Sequence, residues 1–136
     1  MPESTPVQMG TTWDTTEATS AIQEERSLPN DALVCRGGTC TAERFRQGAG
    51  VTLDEAGKLH NVSVNSVPGK TLAELTITIP NKQVGVTTVG EVRAAGGQVL
   101  PKPTVRNPDH CVMEGLTPEE AYRLFTPTGR NLYRDI

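Results

Sequence analysis

Short apolar runs separated by glycines, prolines and polar residues dominate most of the chain. The run Ala32-Leu33-Val34-Cys35 ends in two glycines, which is typical of a short buried strand. Residues 59–66 alternate between polar and apolar positions, and this period of two predicts a half-buried strand with Val62 and Val64 facing inward. Two further strands are predicted over residues 98–100 and 109–114.

Helix starts are indicated by three Thr-x-x-Glu motifs, in which the hydroxyl and the carboxylate can each satisfy a free amide of the first turn. These motifs begin at Thr71, Thr88 and Thr117. The third is followed by Pro118 at the first helical position, and it predicts a helix from Thr117 to about Phe125. Thr39 is predicted to cap another helix that runs through Phe45, and the helix after Thr88 is expected to end before Gly96.

The chain divides into a polar N-terminal part and one folded domain. Residues 1–27 are rich in Thr, Ser, Glu and Pro, which indicates a flexible tail or linker, with a short helix over residues 16–26 as the alternative. Residues 28–136 are predicted to form a single compact α+β domain with a mixed or antiparallel sheet and short helices. Aromatic residues are only 4% of the chain, so its core must consist mostly of aliphatic side chains.

Charge and cysteine content narrow the classes of function. The net charge of −3 lies largely in the acidic N-terminal part, and the domain has no basic stripe interleaved with aromatics, so we expect no nucleic-acid-binding surface. No apolar run approaches the ~20 residues of a membrane span, and we expect neither membrane association nor an export signal in this chain. Three cysteines cannot all pair within it, which favours free thiols in a reducing compartment such as the cytoplasm.

The reactive side chains fall in two blocks, residues 35–40 and 107–114. Cys35, Cys40, His110 and Cys111 are the residue types that bind zinc. Neighbouring strand residues such as His110 and Cys111 point to opposite faces, however, so their spacing does not favour a shared ion and we expect no metal site.

A thiol hydrolase or transferase with Cys35 or Cys40 as its nucleophile is the second hypothesis for these blocks, and Cys40 is the better placed of the two. Cys40 at a helix N-terminus would have a stabilised thiolate, and His110 could act as its base, oriented by Asp109 or Asn107. The non-catalytic alternative is a binding or interaction module in which the thiols merely fill the core.

The third hypothesis starts from Arg36, which follows a strand and precedes two glycines. A guanidinium can bind a phosphate group through two hydrogen bonds, and neighbouring glycines let the backbone approach the ligand closely. On the late predicted strand, His110 and Glu114 share one face, whereas Cys111 and Met113 are expected to face the core.

The order of these features resembles the compact ADP-ribosyltransferase-like toxin domains of bacterial polymorphic toxin and effector systems. The resemblance covers about residues 32–125 and implies that NAD is the cofactor. It places Arg36, Ser63 and Ser66 in NAD binding. It also implies that Glu114 and His110 are catalytic, with the carboxylate stabilising the oxocarbenium-like state of NAD cleavage.

The same resemblance implies a biological setting. It describes a toxin or effector that acts in the cytoplasm, is delivered as part of a secreted protein, and is neutralised by a cognate immunity protein. The target of modification is not indicated. The Cys40–His110 enzyme and the non-catalytic module remain the alternatives.

Overall fold

A computed structural model of the protein describes residues 27–134, so the predicted tail, apart from its last residue, and the alternative helix over residues 16–26 lie outside the described residues. Six strands form one sheet in the order β6-β7-β4-β1-β5-β8, in which all neighbours are antiparallel, and β2 and β3 pair separately. The strands are β1 (Leu33–Gly37), β2 (Thr52–Leu53), β3 (Leu59–His60), β4 (Val62–Asn65), β5 (Gln83–Thr88), β6 (Gln98–Pro101), β7 (His110–Glu114) and β8 (Gly129–Arg130). The helices are α1 (Ala42–Arg46), α2 (Leu72–Thr76), α3 (Val89–Ala94) and α4 (Pro118–Phe125), followed by a 3₁₀ turn over Leu132–Arg134.

Strand β1 lies near the middle of the sheet and is paired unequally on its two sides. It pairs with β5 along its whole length, from Leu33 to Gly37. With β4 it pairs at a single position, Cys35 opposite Asn65. The sheet is therefore open between the end of β1 and the start of β4.

Each face of the sheet carries its own core because successive side chains of a strand point to opposite faces. On one face, Val34 and its neighbours pack with α1 and α4, where the rings of Phe45 and Phe125 lie 5.6 Å apart. On the other face, Cys35 packs with Leu75 of α2 in a smaller core. Helices on both sides of one antiparallel sheet make this an α+β domain, which confirms the predicted fold class.

The buried positions of β4 and β7 follow the predicted alternation. Val62 and Val64 are buried in the larger core, as predicted. Cys111 and Met113 are also buried there, which confirms that they face inward. The alternation in the sequence thus identified the core side of both strands correctly.

The capping motifs do begin helices. Thr71 and Thr117 form complete capping boxes with the Glu three residues later, whereas Thr88 accepts a hydrogen bond from the Glu91 amide. Helix α1, by contrast, is capped by Thr41 and not by Thr39. The backbone of Cys40 has a φ of 55°, a left-handed conformation that cannot continue a right-handed helix.

The strand predictions omitted β2, β5 and β8 and were wrong in part over residues 59–66. Strand β5 was not predicted, because Gly85 interrupts its apolar pattern. A side chain at position 85 would collide with the backbone oxygen of Phe125, so tertiary packing requires the glycine there. The single strand predicted over residues 59–66 is divided at Asn61, whose φ of 63° ends β3 before β4 begins.

None of the helices within residues 27–134 combines the length and the apolar content that crossing a membrane requires.

Candidate functional site

A cleft of about 700 Å³ opens where β1 and β4 diverge. It is lined by the connection from β1 into α1 and by residues 78–82 of the connection from α2 into β5. Ser63 of β4 and His110 of β7 line it from the sheet. The cleft therefore lies at the place where the sheet cannot close.

All charged side chains among the described residues of the cleft are positive. Arg36, Arg44 and Lys82 line it, and no Asp or Glu is among its described lining residues. None of these three cations forms an ion pair with a carboxylate of residues 27–134. A concave surface with three cations that lack described carboxylate partners attracts anions, and phosphate groups are among the anions that arginine and lysine bind.

The Arg36 side chain is held in place by two contacts and fits into space that a glycine leaves free. Its guanidinium lies over the ring of Phe45, 5.3 Å from the ring centre, and Nη1 donates a hydrogen bond of 2.6 Å to the Ser63 carbonyl oxygen. A side chain at Gly48 would come within 2.9 Å of the guanidinium, so this glycine leaves the space that Arg36 occupies. Burial lowers the pKa of Arg36 below its ordinary value. Its charge is thus positioned before any ligand arrives.

Ser63 and His110 form a directed hydrogen-bond pair. Nδ1 of His110 lies 2.8 Å from the backbone oxygen of Lys102, which can only accept, so Nδ1 carries the proton. In the neutral ring Nε2 is then an acceptor, and it lies 3.0 Å from Oγ of Ser63. The hydroxyl of Ser63 therefore donates to the imidazole. Since Ser63 pairs with Val112, His110 is its diagonal neighbour on the adjacent strand.

Two asparagines that line the cleft form a second polar group. Nδ2 of Asn107 donates to Oδ1 of Asn65 over 2.7 Å, and Nδ2 of Asn65 donates to the Leu75 carbonyl and to Thr78. From the sequence, Asn107 was predicted only as a possible partner that orients His110, and Asn65 was not predicted as a site residue. The signal for Asn65 was weak, since a polar residue on the predicted outer face of a strand needs no function.

Two of the predicted site residues lie away from the cleft. Ser66 is buried and donates a 2.6 Å hydrogen bond to the Leu33 carbonyl oxygen, so its hydroxyl is used within the fold. Glu114 lies at the far end of β7, where its Oε1 is 3.4 Å from Nδ1 of His60. The structure thus brings Arg36, Ser63 and His110 together and leaves Ser66 and Glu114 outside.

The His60 ring bridges two carboxylates beside the β2–β3 hairpin. Its Nε2 lies 2.9 Å from Oδ2 of Asp54, and its other nitrogen faces Glu114. The hydrogen bond to Asp54 and then that to Glu114 raise the pKa of His60. The same contact with His60 is the main reason that the pKa of Asp54 is lowered. Glu114 of β7 is therefore part of an ion-pair cluster with His60 and Asp54 of the hairpin.

The thiols lie in the interior of the fold. Cys35, Cys40 and Cys111 are free and buried. Desolvation raises the pKa of Cys35 from 9.0 to about 12 and that of Cys111 to about 11, and it also raises the pKa of Cys40.

The environment of Cys40 gives no support to a thiol–imidazole pair, because its Sγ hydrogen-bonds to the carbonyl oxygens of Arg36 and Gly38. His110 is oriented by Lys102, whereas Asp109 binds Lys70. Within residues 27–134, no three His, Cys, Asp or Glu side chains are placed to hold a metal ion.

Comparison with known proteins produced no match among protein-family models, curated proteins or solved structures. The geometry and charge of the cleft, in which Arg36, Ser63 and His110 are the central residues, are therefore the evidence that bears on function.

Proposed function

We propose that this domain is an enzyme whose cleft binds a phosphate-bearing nucleotide, with NAD as the substrate, as in the ADP-ribosyltransferase-like toxin domains that the sequence resembles. The observation that carries the proposal is the cleft lined by three cations and no described carboxylate, in which Arg36 is already held beside Ser63. A pyrophosphate group is the part of NAD that such a surface would bind.

In this proposal the residues of the cleft have separate tasks. Arg36 pairs with the pyrophosphate, and Arg44 and Lys82 contribute further positive charge. Ser63 and Asn107, which is held by Asn65, supply hydrogen bonds for a ribose or a nicotinamide amide. Of the two residues of β7 that the resemblance makes catalytic, His110 is the one that acts in the cleft, where it contacts Ser63. Glu114 contacts His60 at the other end of the strand.

Calorimetric titration of the full chain with NAD, ADP-ribose and inorganic pyrophosphate tests the binding. We expect all three to bind, and Arg36→Gln to weaken each of them roughly 10- to 100-fold, as the loss of a hydrogen bond between charged groups implies. Arg46→Gln is the matched control, since Arg46 pairs with Glu119 and does not line the cleft. Failure of all three ligands to bind would refute the nucleotide site.

The transferase reaction needs its own measurement. Nicotinamide release from NAD by the wild-type chain, and its loss in Arg36→Gln, would support ADP-ribosyl transfer. Binding without nicotinamide release would instead favour the non-catalytic binding module. The proposed effector role predicts that cytoplasmic expression inhibits bacterial growth and that Arg36→Gln relieves this inhibition. A cognate immunity protein would suppress the toxicity of the wild-type chain.

A further inference from the structure

The hydrogen bonds of Ser63 and His110 form a chain with one direction. The Lys102 carbonyl accepts from Nδ1 of His110, and Nε2 of His110 accepts from the Ser63 hydroxyl, with distances of 2.8 and 3.0 Å. A hydroxyl that donates to an oriented imidazole is the arrangement of an activated nucleophile. The Lys102 carbonyl serves here as the orienting group, which holds the ring in the tautomer that can accept a proton.

The surroundings of Ser63 indicate the electrophile. Ser63 is exposed at the cleft, and Arg36 binds the backbone oxygen of the same residue at 2.6 Å. Arg44 and Lys82 line the same space. An attack that builds negative charge on non-bridging oxygens would be stabilised there, and phosphorus esters are the substrates whose transition states carry such charge.

We propose that Ser63 is a nucleophile toward the phosphorus atom of phosphate esters, with His110 as its general base. Oγ of Ser63 forms a bond to phosphorus while its proton passes to Nε2 of His110. The bond from phosphorus to the leaving oxygen breaks, and the leaving oxygen takes that proton from Nε2. Water then attacks phosphorus and gives one proton to His110, which returns it to Oγ of Ser63 as the bond from Ser63 to phosphorus breaks.

This inference uses the cleft of the proposed function but does not require NAD. It assigns a second activity, the cleavage of a phosphate ester through a covalent serine intermediate. The two can fail separately, because the titrations above report on binding and the experiment below reports on the reactivity of Ser63.

A fluorophosphonate probe tests the nucleophile, since Ser63 Oγ would displace fluoride from phosphorus while His110 takes the proton. The full chain is incubated with the probe, and intact mass and peptide mapping report the adduct. We expect one adduct at Ser63, none in Ser63→Ala, and a rate at least tenfold lower in His110→Ala. Added imidazole is expected to restore labelling of His110→Ala. Thr39→Ala, which removes another exposed hydroxyl of the cleft, is the control and is expected to label as the wild type does.

Circular dichroism of every variant separates loss of folding from loss of reactivity, and His110→Gln provides a second variant if His110→Ala does not fold. Labelling of Ser63 at an unchanged rate in a folded His110 variant would overturn the role of His110. No adduct at Ser63 in the folded wild-type chain, or an adduct distributed over several surface hydroxyls, would overturn the proposal itself.

Discussion

His110 and Glu114 lie on the same face of β7 but at its two ends, about 13 Å apart at the usual rise of a strand. His110 contacts Ser63 in the cleft, whereas Glu114 contacts His60 beside the hairpin. One strand thus separates a cationic cleft from an ion-pair cluster. The two regions are therefore expected to respond to different mutations.

The separation predicts that Glu114→Gln leaves ligand binding intact. Glu114 does not line the cleft, so the affinity for NAD or pyrophosphate is expected to stay within about twofold of the wild-type value. Arg36→Gln, measured in the same titration, is the positive control. Loss of binding in a folded Glu114→Gln variant would show that this carboxylate reaches the ligand after all.

The ion-pair cluster predicts a pH dependence of stability. The hydrogen bond to Asp54 first, and that to Glu114 second, raise the pKa of His60 in the folded state. The stability that protonated His60 contributes is therefore complete below its ordinary pKa of 6.5, and it is lost as the pH rises through the higher folded-state pKa. The pKa of Asp54 is lowered in the folded state. The stability that the Asp54 carboxylate contributes is therefore complete above its ordinary pKa of 3.8, and it is lost as the pH falls through the lower folded-state pKa.

Urea unfolding of wild type and His60→Gln tests this dependence. The difference in unfolding midpoint is expected to be largest between pH 3.8 and 6.5 and to shrink as the pH rises through the raised pKa of His60. Asp54→Asn should remove most of this pH dependence. A difference that stays constant over the whole range would show that the cluster contributes no charge pairing to stability.

The ring of Phe45 is predicted to support ligand binding through Arg36. Phe45→Leu and Phe125→Leu each shorten a fully buried side chain, and each is expected to cost about 1–3 kcal/mol of stability. Only Phe45 lies under the guanidinium, so only its loss should weaken pyrophosphate binding, by about two- to fivefold. Titrations below both melting temperatures make this comparison, and equal affinities in the two variants would contradict the prediction.

The buried thiols are predicted to be unreactive in the native protein. A pKa raised from 9.0 to about 11 in Cys111, and to about 12 in Cys35, reduces the thiolate fraction at pH 8 by roughly 100-fold or more. Iodoacetamide should therefore label these thiols slowly in buffer and rapidly in urea, as followed by intact mass. Rapid labelling of Cys40 in the native protein would instead support the hypothesis of a thiol enzyme, and the Cys40→Ser variant would then be expected to lose activity.

Local patterns in the sequence were sufficient for much of the secondary structure. The two complete capping boxes at Thr71 and Thr117 begin helices because the motif acts within one turn. Alternation predicted the burial of Val62 and Val64 because it follows from the strand itself. Strand β5 was not predicted because Gly85 interrupts its apolar pattern. The glycine is required there by the close approach of Phe125, which is distant in sequence.

For the candidate site, the sequence by itself determined which reactive residue types are present and which face of a strand several of them occupy. It singled out Arg36, Ser63 and His110, and it placed His110 and Glu114 on one face. Only the tertiary structure decided which of them meet. The divergence of β1 from β4 opens the cleft, and the antiparallel register sets His110 diagonally beside Ser63. A strand's period of two specifies a face but no position along it, so the distance between His110 and Glu114, and their partners, depend on how the strands pair.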